Sequence, residues 1–193
     1  MRRTKRAQAD SSSPGVSIRR LTALDRRLFL LAVRRSGALH RGWVAPPCTA
    51  AAYGLHLQRY SSEAHKSFLL VHNTTKELAG VINISHIVRG ALQSAYLGYY
   101  AFSGFEGRGL MRQGMVLVLR RAFCKLKLHR VEANIQPRNV ASRRLLMKLG
   151  FTREGYSKQY LKIGGRWRDH ERWALLAEDF HPQRVATRRR KAS

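Results

Sequence analysis

The stretch Phe105-Glu106-Gly107-Arg108-Gly109-Leu110-Met111 joins two segments of different character. Before it, residues 92–102 read as a strand carrying Tyr96, Tyr99 and Tyr100. After it, Met111, Met115, Val118, Leu119, Ala122, Phe123 and Leu126 recur mostly in steps of three and four, which predicts a helix with one buried face over residues 109–126. A loop that opens a helix offers unpaired N–H groups and a positive dipole end, and together these suit a pyrophosphate. Gly107 and Gly109 let the backbone come close to a ligand, and Arg108 and Arg112 add charge for phosphate oxygens. The loop lacks the Gly-Lys-Ser/Thr of a nucleotide-binding P-loop and the third glycine of a dinucleotide fingerprint. Two glycines alone suit a plain turn equally well.

Working outward, residues 16–21 read as a first strand. Leu24, Leu28, Leu31 and Ala32 give residues 25–35 helical spacing. Pro46-Pro47 breaks the chain, and Thr49 is placed to cap a second helix running to residue 64. Residues 67–72 and 78–88 are rich in Leu, Val and Ile and read as strands joined by a turn near 73–76. Downstream, 130–136 is a short strand. Pro137 and Asn139 introduce a helix that buries Leu145, Leu146 and Leu149, and Gly150 ends it. Segments 156–163 and 167–176 flank Gly164-Gly165, a hairpin signal. Strands and helices mixed in this order predict an α/β (α+β) domain around a largely antiparallel central sheet.

The chain has 193 residues, enough for one domain with a sizeable core. Residues 1–14 form a basic tail expected to be disordered, residues 15–180 form the domain, and residues 181–193 form a second basic tail. No apolar run reaches the roughly 18 residues of a membrane span, and no apolar stretch follows the basic start, so neither a membrane segment nor a secretory signal is expected. Cys48 and Cys124 are too few for a disulfide framework and are expected to be buried thiols in the cytoplasm. Lys and Arg number 37 against 11 Asp and Glu, a net charge of +26. The tails account for +3 and +5, which leaves +18 on residues 15–183. Such a field draws in polyanions, and ribosomal precursor RNA is a partner it would suit.

Several motifs, in order and at the right distances, resemble one family. The loop resembles the Gln/Arg-x-x-Gly-x-Gly/Ala signature of the GCN5-related N-acetyltransferases. Tyr96-Leu97-Gly98-Tyr99 precedes it. His129-Arg130-Val131-Glu132-Ala133, Asn139-Val140-Ala141-Ser142, Leu149-Gly150-Phe151, Glu154-Gly155-Tyr156 and Gly165-Arg166-Trp167-Arg168-Asp169-His170 follow it. The set is similar to the ribosomal-protein-alanine subgroup (RimJ/RimL type), strongly over residues 78–180 and loosely over 16–77. Glu106 departs from the usual Gln or Arg, and Met111 stands where Gly or Ala is usual.

The resemblance implies splayed strands holding acetyl-coenzyme A, with no metal. It implies transfer of acetyl by direct attack of the N-terminal α-amino group of alanine on a small-subunit ribosomal protein. The coenzyme would lie against the backbone of Tyr99, Tyr100 and Ala101, against Glu106, Gly107, Arg108, Gly109, Leu110 and Met111, and against Asn139 and Ser142. Asn139 serves equally as a helix cap. Ser142, Tyr156 or Tyr160 would protonate the thiolate, and Glu132 would be the base, with Asp169 and His170 as alternatives. Trp43, Asp169 and His170 would meet the acceptor. Arg143 and Lys148 would reach phosphates or solvent. A small amine such as a polyamine is an alternative acceptor. A basic RNA- or ribosome-binding factor with weak catalysis is the reading from another class.

Overall fold

The computed structural model describes residues 15–182, so the tails expected at 1–14 and 181–193 lie outside the described residues, apart from His181 and Pro182. Seven strands form one sheet: β1 (Val16–Arg20), β2 (Lys66–His72), β3 (Leu78–Val88), β4 (Ser94–Ala101), β5 (Arg130–Ile135), β6 (Thr152–Ile163) and β7 (Arg166–Leu176). Their order is β1-β2-β3-β4-β5-β7-β6. Every pair is antiparallel except β4 with β5. Helices α1 (Arg26–Arg35), α2 (Gly37–His40), α3 (Ala50–Ser61), α4 (Leu110–Arg120) and α5 (Val140–Leu149) cover the sheet. No helix among the described residues is long and apolar enough to cross a membrane.

Helices on both faces explain why β2 reads as an unbroken apolar run. Phe68 and Leu70 join the core under α4 and α5, while Leu69 joins the core under α1 and α3. The first core also takes Ile82, Ile84 and Leu97 from the sheet, and Met115, Val118, Leu119, Leu146 and Leu149 from the two helices. The second gathers Phe29, Val33, Tyr53, Val81, Tyr100 and Phe102. There the stripe expected of α1 is corrected. Leu24 is 93% exposed and Leu28 58%, whereas Phe29 and Val33 are buried. Phe29 meets Tyr53 and Phe102 edge to face, with ring centroids 5.0 and 5.8 Å apart, and this aromatic contact selects the other side of the helix. Both cysteines are exposed, not buried as the composition suggested.

Local signals hold at most boundaries. The Thr49 side chain accepts from the Ala52 N–H at 3.2 Å and starts α3, which stops at Ser61 rather than residue 64. Gly150 ends α5 at φ 93°, and Gly164 and Gly165 turn the β6–β7 hairpin at φ 56° and 81°. The long helix keeps α geometry to Arg120 and then widens into a π turn over Arg121–Lys125. Ahead of α1, Arg19 and Thr22 hold the segment after β1 through Asp25. Burial pushes that carboxyl up, but hydrogen bonds from Arg19 and Thr22 outweigh it and keep it below the usual range.

Candidate active site

The sheet opens where its one parallel pair ends. Strands β4 and β5 are in register only at Ser94–Arg130, Ala95–Val131 and Tyr96–Glu132. Beyond Tyr96, β4 stays with β3, β5 stays with β7, and a gap widens between them. A cleft of about 640 Å³ fills it, running from the glycine loop past Tyr99 to Trp43 and His170.

Backbone direction along β4 follows from one bond. The Phe102 N–H donates to the Ala79 carbonyl at 3.0 Å, so by alternation Gly98 and Tyr100 direct their backbone groups to β3. Leu97, Tyr99 and Ala101 direct theirs into the gap. The expected backbone role of Tyr100 is therefore corrected: its ring packs with the α1–α3 core, and its hydroxyl is buried without a hydrogen-bond partner. Burial pushes that hydroxyl's pKa up, with Tyr60 and Tyr53 adding to it.

The segment after α1 bridges the open end. His40 Nε2 lies 2.8 Å from the Ala101 carbonyl; a carbonyl only accepts, so this nitrogen carries the proton and Nδ1 is left as an unpartnered, buried acceptor. Burial lowers the His40 pKa, partly opposed by that bond. Gln136 at the end of β5 donates to the Gly42 carbonyl at 2.7 Å. Trp43 follows and lines the cleft at 39% exposure.

On the α4 side, Gly107 and Gly109 take φ 72° and 77°, and Gly109 caps α4 with no side-chain hydrogen bond. The first turn of N–H groups therefore faces the cleft from a helix start that no side chain closes. Leu110 buries its side chain and offers only backbone. Glu106 and Arg108 are exposed, and Arg108 bends back to the Gly104 carbonyl and the Phe105 ring. Met111 lies over Gly80, where an added Cβ would come within 2.9 Å of its Cε. A bulky residue in the loop is matched by a missing one on the sheet. From α5, Ser142, Arg144 and Lys148 line the cleft, as does Asn139, whose side chain caps the helix by accepting from the Ser142 N–H at 3.1 Å. Burial raises the Tyr99 hydroxyl pKa, and the neighbouring Ser142 opposes this.

Three expected residues stand elsewhere. Glu132 accepts from Arg130 Nε at 2.8 Å, and Arg130 also binds Glu154. The Tyr156 hydroxyl donates to Asp169, which also accepts the Gln159 N–H at 2.8 Å; Tyr156 is exposed and Asp169 half-buried. None of the three lines the cleft. Arg143 pairs with buried Glu171 at 3.1 Å rather than reaching toward phosphates. His170 does line the cleft. Its Nδ1 lies 2.9 Å from the Arg168 carbonyl, so Nε2 is the unprotonated nitrogen, and burial lowers its pKa.

A second cavity of about 410 Å³ adjoins through Val44 and Tyr100, between α3, the 44–47 segment and Asn83. His56 on its wall is lowered by burial, with Arg59 adding, to about 4. The unfolded chain protonates this histidine near 6.5 and the folded one only near 4, so folding stability falls as pH drops through that window. We expect about 1–2 kcal/mol from this half-buried ring after solvent screening. Urea unfolding at pH 7 and 4.5 measures it, and His56→Gln should flatten the slope; an unchanged slope refutes the assignment.

Asn83, Asn134, His40 and Arg144 were not singled out from the sequence, and only Gly98 among a run of tyrosines offered a visible cue.

Comparison with known proteins gives the same family. The acetyltransferase (GNAT) domain model matches residues 16–152. The chain is 41% identical over 128 residues to the [ribosomal protein uS5]-alanine N-acetyltransferase of Escherichia coli, covering 64% of this chain and 66% of that protein. It is 38% identical over 122 residues to the probable N-acetyltransferase YjcK of Bacillus subtilis, covering 63% and 67%. The Mycobacterium smegmatis RimJ structure, in complex with CoA-disulfide, superposes with a TM-score of 0.83 at 26% identity over 91% of this chain and 90% of that one. With a gapped parallel pair, a glycine-capped helix start and these relatives, the chain belongs to the GNAT family of N-acetyltransferases.

Proposed function

We propose that the protein transfers acetyl from acetyl-coenzyme A to the N-terminal α-amino group of a protein, and that the alanine terminus of a small-subunit ribosomal protein is its acceptor. One observation carries this reading: the β4–β5 gap joins an open helix start on one face to a cavity without a carboxylate on the other. Acetyl-coenzyme A supplies an activated thioester when bound. Leu110 and Met111 N–H groups suit its pyrophosphate, Arg144 and Lys148 add charge, and Tyr99 and Ala101 present backbone groups to its arm. An N–H there polarises the thioester carbonyl.

His170 replaces Glu132 as the base this geometry favours, because it is neutral and lines the cleft with Nε2 unprotonated. Tyr99, held protonated by burial beside Ser142, replaces Tyr156 as donor to the leaving sulfur. Neither cysteine lines the cleft, which supports direct attack by the amine. An α-amine with pKa about 8 is neutral in about one molecule in ten at pH 7, so a single imidazole suffices.

Charge separates the two acceptors. Among the described residues the second cavity carries Arg59 and no Asp or Glu, and the only acid lining the cleft is Glu106 in the glycine loop. A polycation finds nothing to hold it, whereas a peptide terminus brings one amine. The net charge suits an acceptor carried in an RNA-rich particle. Mass spectrometry of an alanine-starting ribosomal peptide incubated with acetyl-coenzyme A should show one added acetyl on the α-amine, with spermidine turned over at least 100-fold less efficiently. His170→Asn should lower kcat about 100-fold. Acetylation of spermidine but not of the peptide would replace this acceptor.

A further inference from the structure

We propose that Asn83, Gly98 and Asn134, with the Tyr100 hydroxyl beside them, form the seat of the acceptor's amino group. The inference rests on the acetyltransferase reading, because it places the amine relative to the carrier's arm. The phosphate-binding helix start and α5 lie on one face of the sheet. An arm passing through the β4–β5 gap therefore delivers its acetyl end to the opposite face.

Strand register assembles the seat there. Asn83 on β3 is directly opposite Gly98 on β4. Two residues beyond the Tyr96–Glu132 pair, Gly98 and Asn134 stand on the two strands that border the gap, and both line the cleft. Side chains alternate between faces. Ile82, Ile84, Leu97, Ala133 and Ile135 belong to the α4–α5 core, so Asn83, Gly98 and Asn134 share the other face with Tyr100. Asn83 Oδ1, Asn134 Oδ1 and the Tyr100 hydroxyl are all buried with no hydrogen-bond partner. Buried polar atoms are ordinarily satisfied, and three left open on one face of three successive strands call for a donor. All three accept hydrogen bonds, and an amine offers N–H donors. Neutral acceptors hold the amine without the carboxylate that would stabilise its unreactive ammonium form.

Gly98 is the second observation. Its φ is not in the left-handed region, so its backbone conformation does not require glycine. A Cβ there would meet nothing within 4 Å. Gly98 lines the cleft, so a side chain there would project into open space on the face that carries the two amides.

The test is Gly98→Val in the full chain. The acceptor KM should rise at least 10-fold, well beyond any change in the coenzyme Kd read by calorimetry, while the Tm stays at its wild-type value. Asn83→Asp should move the acidic limb of the kcat–pH profile upward by about one unit, because the new carboxylate favours ammonium. NMR titration of alaninamide into the coenzyme A-bound protein reads the seat without turnover. Shifts at the Asn83 and Asn134 side-chain amides are expected in the wild type and not in Gly98→Val. If the wild type acetylates a different amine, the peptide assignment fails, and Gly98→Val assayed on that amine still decides the seat. An acceptor KM within two-fold of wild type in Gly98→Val, or alaninamide shifts that Gly98→Val leaves unchanged, overturns it.

Discussion

Replacing Gly109 by valine is expected to weaken coenzyme A binding about 100-fold while leaving the fold intact. The residue sits at φ 77°, ψ 1° immediately before α4, where a β-branched side chain is strongly disfavoured. Its Cβ would meet no protein atom within 4 Å, so the core registers little. What changes is aim. Relieving the backbone rotates the loop and turns the first N–H groups of α4 away from the cleft. Hydrogen bonds to a charged group are worth about 1.5–3 kcal/mol each, and losing one or two of them gives about 3 kcal/mol, or roughly 100-fold. Gly109→Asn is the control, because asparagine tolerates the left-handed region and should lose only a few-fold. Calorimetry decides: coenzyme binding by Gly109→Val within three-fold of wild type places the phosphates elsewhere, and equal losses for Val and Asn point to a blocked pocket rather than a turned backbone.

That loop was legible in the sequence because everything it needs is local. Two glycines, a strand before and a periodic helix after lie within about thirty residues, and the turn at Gly164-Gly165 and the stop at Gly150 were readable for the same reason. Face selection was not. The segment 24–33 carries two overlapping apolar sets, Leu24–Leu28–Leu31 and Phe29–Val33, and only packing against Tyr53 and Phe102 decides between them. The acceptor side was less legible still. Asn83, Gly98 and Asn134 lie on three strands, and their common face follows only from strand order and register, one pairing of which is parallel and only three rungs long. Conversely, Glu132, Tyr156 and Asp169 carry chemistry suited to catalysis, yet each is occupied by a neighbour: Arg130 for the first, and one another for the other two. Residue type alone does not reveal a partner two or thirteen positions away on the same sheet. His170 shows the reverse case, since a carbonyl of its own strand fixes its tautomer and leaves Nε2 unprotonated at the cleft.

Gly114→Val should be strongly destabilising, costing about 3 kcal/mol or more and abolishing activity through loss of the fold. Gly114 is buried in the middle of α4, facing β2. An ideal Cβ there would lie 2.5 Å from Leu70 Cδ2, 2.7 Å from Cγ and 3.1 Å from Cδ1. Cγ is not the loose end of a side chain, and Leu70 is fully buried between its neighbours, so it cannot swing aside. The helix would have to rise off the sheet. Overpacking a filled core costs about 1–3 kcal/mol for one added group, and valine adds three carbons. The gain from removing a mid-helix glycine, about 1 kcal/mol at most, offsets little of that. If the clash with Leu70 is the cause, Leu70→Ala must partly repair Gly114→Ala, even though Leu70→Ala alone opens a cavity worth about 2–5 kcal/mol. The double variant should then be more stable than the sum of the two losses by at least 1 kcal/mol in chemical denaturation. Strict additivity would mean that α4 accommodates the extra carbon without touching β2, and the close approach that sets the depth of the coenzyme cleft would have to come from elsewhere along the helix.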